Sequence, residues 1–281
     1  MSSLSPKNVQ PSYIPSSLHM DSGLKMTLGV SPLLIAILVI IPLLARHFYV
    51  DYKSFLSLGP GGTEQTPRGY MKLKFLSIFA LRNPYEPPPL PLYLVTKTGY
   101  FKSTLPQRIG RRPQTKGLAP HRQVNQNSPQ AVYEKLAAAI EEQATQCESL
   151  KVGTSCFEMN STGLFHMNPQ RQTCGGEVCH AHPSDGSMHL TLHPADAKMA
   201  IERGWAERHP LAKGGWMERF VPSGFLLVYA PRGDDEIKPI MEIVRAAAWW
   251  VAGHEVEFSD EVDGASKGGA GEKSRPMVQD A

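Results

Sequence analysis

The residues of this chain best suited to chemistry are three histidines: His180 and His182 in EVCHAH, and His189 in SMHLTLH, with the turn-forming PSDG between them at 183–186. Alternation along a strand puts His180 and His182 on one face, and a four-residue hairpin turn pairs 182 with 187 and 180 with 189. Opposed residues have Cβ atoms about 5 Å apart and diagonal ones about 7 to 8 Å apart, so the three imidazoles can converge on one ion or one substrate. Glu207 and His209 in GWAERHPLA, and His193 ahead of a helix, are further candidates. Three neutral imidazoles suit zinc or a non-haem transition metal. A single imidazole with an ordinary pKa near 6.5 suits a general base that removes an acidic enol or phenol proton. Polar strand-face and capping roles without chemistry are the third reading, and the residues alone leave all three open.

These histidines need a framework, and the sequence supplies one. Pro129 is a good first helical residue with Ser128 as N-cap, and Val132, Leu136, Ile140, Gln143 and Cys147 share one face, so a helix is expected near 129–147. Strand-like runs follow near 151–158 and 163–167, then the hairpin at 177–193. Pro194 starts a helix that ends near Gly204, FLLVYA at 225–230 reads as a strand, and Ile237, Ile240, Met241, Val244 and Ala248 mark an amphipathic helix. The expected fold class is α+β: an N-terminal transmembrane helix, then one domain with an antiparallel sheet and packed helices.

The transmembrane expectation comes from Thr27–Ala45, TLGVSPLLIAILVIIPLLA, an uncharged run that spans roughly 28 Å as a helix. It leads into Arg46-His47-Phe48-Tyr49 and not into a small-residue cleavage site, which argues for an anchor over a signal peptide. The expected organisation is a disordered leader at 1–26, a membrane helix at 27–46, a Pro/Gly-rich and basic segment at 47–127, the α+β domain at 128–252 and a disordered tail at 253–281. Residues 71–81 read as an apolar packed helix, and PYEPPPLP at 84–91 as an extended connector. The excess of Lys and Arg after the anchor favours a cytosolic domain on the endoplasmic reticulum or another endomembrane.

With 281 residues, 24 Pro and 24 Gly, the chain is sized for one domain with long irregular connections. Its net charge of +3 is too small for a nucleic-acid footprint. The basic charge is local: seven Lys or Arg and no acid lie between Lys97 and Arg122, a strip that suits anionic lipid headgroups, an anionic or polyphenolic ligand such as Arg111 and Arg112 would hold, or plain solvation. The four cysteines, 147, 156, 174 and 179, are too few and too unevenly spaced for a disulfide scaffold. Asn160-Ser161-Thr162 is a sequon whose use depends on compartment. No GxGxxG in strand–helix context, P-loop, GxSxG or HExxH occurs, which disfavours nicotinamide, nucleotide and triad-hydrolase chemistry.

Several blocks, in order, carry a resemblance: DYKSFLSLGP, RGYMKLKFLSIF, LPQRIGRRP, EVCHAHPSDGSMHLTL, GWAERHPLA and YAPRGDDE. Together they resemble the fungal luciferase family, the luciferase-domain proteins. The resemblance implies an O2-dependent oxygenase without flavin or nicotinamide, which converts a hydroxylated styrylpyrone to CO2, a caffeylpyruvate-type product and, in luminous members, light. It implies His180, His182, His189 and His209 as catalytic, and Trp205, Arg208, Tyr229 and Arg232 as substrate-binding. The expected partners are a small-molecule substrate, O2 and membrane lipid, with no resident cofactor. The alternatives are a divalent transition metal on His180, His182 and His189, or a non-enzymatic membrane-anchored binding module. The hairpin PSDGS is one residue shorter than in luminous members, and Ala206 stands where they have glycine, so a non-luminous relative with another polyketide or pyrone substrate fits as well.

Overall fold

The computed structural model describes residues 31–94, 98–171 and 174–258, so the expected leader and most of the expected tail lie outside the described residues. Helix α1 (Pro32–Leu56) crosses the boundary between two compact units, Met1–Phe48 and Tyr49–Ala281, which are considered separately. Within α1, Leu34–Leu56 is long and apolar enough to cross a membrane. The helix does not stop near residue 46 as expected. No glycine interrupts it before Gly59, so it continues through Arg46 and Lys53 to Leu56.

From Tyr49 onward the chain forms one unit that takes in both the segment expected to be membrane-proximal and the α+β segment. Helix α2 (Pro67–Ser77) starts at Thr66, whose hydroxyl accepts from the Gly69 N–H at 3.1 Å, and has proline in its first turn. Its Tyr70 and Leu73 pack on Phe55, and the Tyr70 hydroxyl donates to Asp51. The basic strip is only partly a surface. Thr115–Gly117 (β1) and His121–Gln123 (β2) form a two-stranded ladder, and Arg108, Arg112 and Arg122 turn inward to acids or backbone carbonyls.

The main sheet is antiparallel throughout, in the order β3-β4-β5-β6-β8-β7: Leu150–Thr154, Thr162–His166, Glu177–Ala181, Met188–Thr191, Phe225–Val228 and Ala206–Arg208. Helix α3 (Gln130–Gln146) packs against β3 through Val132, Leu136 and Ile140, and α5 (Ile237–Ala252) lies on β5 and β6. Between them the core holds Leu164, Met188, Leu190, Leu226 and Val228. Helix α3 begins one residue later than expected. Pro129 is still extended (ψ 141°) and acts as the cap, while the Ser128 hydroxyl turns to the Pro129 carbonyl. Helix α4 (Pro194–Glu202) is capped by His193, whose Nδ1 accepts from Ala195 N–H. Cys156 and Cys174 are joined by a disulfide that ties the β3–β4 connection to the turn before β5, while Cys147 and Cys179 are free thiols.

Candidate active site

The register draws one line of residues across five strands. Gly163 pairs with His180, His180 with His189, His189 with Leu227, and Leu227 with Glu207. The hairpin that sets this line is closed by His182 N–H on the Ser187 carbonyl at 2.7 Å, and its Gly186 has φ +81°, a conformation costly for any residue with a Cβ. The Asp185 carboxylate accepts the Ser187 N–H at 2.7 Å and stiffens the turn.

A β-bulge brings an acid into the line. Between Leu164 and Phe165 the partner register jumps from Cys179 to Glu177, so β5 holds one extra residue. Simple alternation would send Glu177 to the face opposite His180. The bulge returns it to the same face, where its Oε1 lies 2.5 Å from His180 Nδ1. The hydroxyl of Ser155 and the N–H of Cys156 donate to the two oxygens of Glu177 and hold it there.

Two further histidines come from outside the hairpin. The β1–β2 ladder delivers His121, whose Nδ1 is 3.3 Å from His189 Nε2, and the end of β7 delivers His209, whose ring stands 5.4 Å from that of His189. On its other side His189 Nδ1 is 3.1 Å from His182 Nε2. All five rings are buried, and Phe225 stacks on His189. Carboxylates and a hydroxyl stand behind them: Glu177 behind His180, Ser187 (2.9 Å) and Asp185 (3.8 Å) behind His182, and Glu207 (3.6 Å) behind His121. His209 is already committed at both nitrogens. Nε2 donates to the Leu118 carbonyl at 2.8 Å and Nδ1 accepts from Leu211 N–H at 3.1 Å.

Burial, with repulsion from neighbouring rings, drives His182 and His209 down to about 3 and His189 well below its ordinary value, so these rings are neutral at any physiological pH. Neutral rings admit two proton arrangements. In one, each ring donates to the next from Ser187 through His182, His189 and His121 towards Glu207. In the other, His180 and His182 donate from Nδ1 to Glu177 and Ser187, which leaves both Nε2 lone pairs free to bind. One nitrogen each from His180, His182 and His189 lie within 4.8 Å of one another.

His180 lines a cavity of about 570 Å³ between α3 and the β3–β4 hairpin, whose wall includes Tyr133, Ile140, Val152, Met159 and Leu164. That volume suits a drug-sized ligand. The residues expected to bind substrate stand elsewhere. Trp205 is in the core with its indole N–H on the Pro106 carbonyl, and the Arg208 guanidinium donates to the carbonyls of Ser223, Glu86 and Ala212. Arg112 donates to the Ala206 and Ile201 carbonyls and lies over Tyr85, Arg111 is exposed, and Arg232 pairs with Glu236. Tyr229 is closer to the cluster: its hydroxyl donates to Glu207 at 2.8 Å.

His121, Glu177 and Asp185 are functional candidates that spacing did not reveal. Only the bulge explains Glu177, and only a long-range ladder brings in His121. Residues 175–247 match the family described as Luciferase domain. The matched stretch contains Glu177, His180, His182, Asp185, His189, Glu207 and His209, while His121 and the α3 wall of the cavity lie outside it. No curated protein and no solved structure matches the chain.

Proposed function

We propose, for a chain whose residues 175–247 match the Luciferase domain family, a luciferase-like oxygenase that brings an acidic enol or phenol of the hydroxypyrone class together with O2 at the buried histidine cluster, with or without light. The observation that carries this reading is the position of His180. It is the member of the cluster that lines the cavity, and Glu177 holds its other ring nitrogen from behind. A flat phenolic substrate fits between Tyr133, Ile140, Val152 and Leu164, in the cavity that His180 also lines. The enolate of a 3-hydroxypyrone is electron-rich enough to react with O2 once it is held away from water. The tasks left to the protein are then to orient the anion, exclude solvent and place charge, with neither flavin nor nicotinamide required.

Helix α1 is read as the element that holds the enzyme in a bilayer, where an apolar phenolic substrate concentrates. The chemistry is tested by supplying ¹⁸O2 with 3-hydroxyhispidin and a panel of related pyrones, and following label into the product carboxylate by mass spectrometry. Label that depends on His180 supports the reading, and unlabelled, unchanged substrates across the panel with well-folded protein overturn it.

A further inference from the structure

We infer that His180, His182 and His189 together hold one divalent transition-metal ion. The inference rests on the cluster being the reaction site proposed above and specifies what that site contains. Three imidazoles meet in a buried space with one nitrogen from each within 4.8 Å of the others. Two nitrogens about 2.0 to 2.1 Å from a shared tetrahedral ion stand roughly 3.3 Å apart. His182 Nε2 and His189 Nδ1 are already 3.1 Å apart.

The surroundings match those of a ligand set. A metal-binding imidazole gives its other N–H to an acceptor, which fixes the tautomer and turns the lone pair to the ion. His180 has Glu177 in that position at 2.5 Å, and His182 has Ser187 at 2.9 Å with Asp185 at 3.8 Å. The two carboxylates also supply the negative charge that a buried dication requires. His121, His189 and His209 form a second converging trio, but His209 is spent on Leu118 and Leu211, which directs the ion to the hairpin trio. An all-nitrogen set selects zinc, iron, cobalt, nickel or copper over magnesium or calcium. Three protein ligands leave a coordination position open for a further ligand.

The test uses the full chain in detergent, stripped with a chelator and titrated with Co²⁺ alone, read by visible absorption and by elemental analysis after gel filtration. One bound cobalt per chain is expected, with the intense bands of a four-coordinate site of three imidazole nitrogens and one solvent ligand. Glu177→Gln weakens binding about 10- to 100-fold, and His182→Ala abolishes it. Removal of a buried ring can unfold the chain, so His180→Gln at the cavity wall is the second ligand variant, with circular dichroism as the folding control. Absence of stoichiometric metal in folded wild type, or equal affinity in every variant, overturns the inference. Absence of stoichiometric metal together with undiminished pyrone oxidation overturns the metal site and leaves the oxygenase reading intact. Tight cobalt binding without turnover of any pyrone upholds the metal site and removes the oxygenase reading.

Discussion

Glu236 is the acid whose contribution to stability can be worked out most directly. Two arginines clasp it at the start of α5: Arg108 donates to both of its oxygens at 2.9 and 3.2 Å, and Arg232 donates to it from both backbone and side chain. Burial alone would raise its carboxyl, but hydrogen bonds from Arg108 and Arg232 prevail and hold it at about 2 against an ordinary 4.5. At 1.36 kcal/mol per pH unit that difference corresponds to about 3 kcal/mol of folding stability. Because the folded-state pKa is depressed, this stability is fully present above about pH 5 and is lost as pH falls towards 2. Glu236→Gln is therefore expected to cost about 3 kcal/mol at pH 7, since it leaves the Arg108 charge buried without its counter-charge. The assay is urea unfolding of the full chain in detergent, wild type beside Glu236→Gln, at a series of pH values. The gap between them should narrow steadily from pH 5 to pH 2. A gap under about 1 kcal/mol at pH 7, or one of constant size down to pH 2, would refute the reasoning.

Three more outcomes are expected. Gly163 pairs with His180 and lines the cavity, and a Cβ there would stand 3.1 Å from the Phe165 ring and 3.4 Å from Glu177 Oε1, so Gly163→Val should disturb both the cavity wall and the acid behind His180 and lower kcat/KM by roughly tenfold or more, which steady-state kinetics decides. Cys156→Ser opens a loop whose ends are 18 residues apart and should cost about 3 kcal/mol, seen as a lower urea midpoint, and the same shift should follow reduction of the wild type. Placing Arg at both Leu38 and Ile41 should release the chain from membranes on alkaline extraction, since each charge at the centre of a spanning helix costs about 2.5 to 3.5 kcal/mol; retention in the pellet would count against a bilayer-spanning α1.

The hairpin could be read in advance because two local rules agree there. Period-two alternation and a four-residue turn leave a single register, and His180 does pair with His189. Helices α3 and α5 announced themselves by 3.6-residue periodicity over several turns. What escaped depends on contacts distant in sequence. The bulge that brings Glu177 under His180 is a mismatch between two strands and leaves no mark on either alone. Strand β7 has only three residues, too few for a periodic signal, and His121 reaches the cluster from a ladder 68 positions before His189. The basic strip misled for a related reason. Charge density along the chain does not say that Arg108 and Arg122 meet Glu236 and Glu158 in the interior.

The central claim, that the histidine cluster carries out oxygenase chemistry, is tested most directly by O2 consumption and photon emission from the detergent-solubilised full chain with 3-hydroxyhispidin, beside a His180→Ala control. The account predicts pyrone-dependent O2 uptake, with or without light, that falls to background in His180→Ala. Uptake that survives the substitution, or none at all from folded wild type with this and related pyrones, would contradict it.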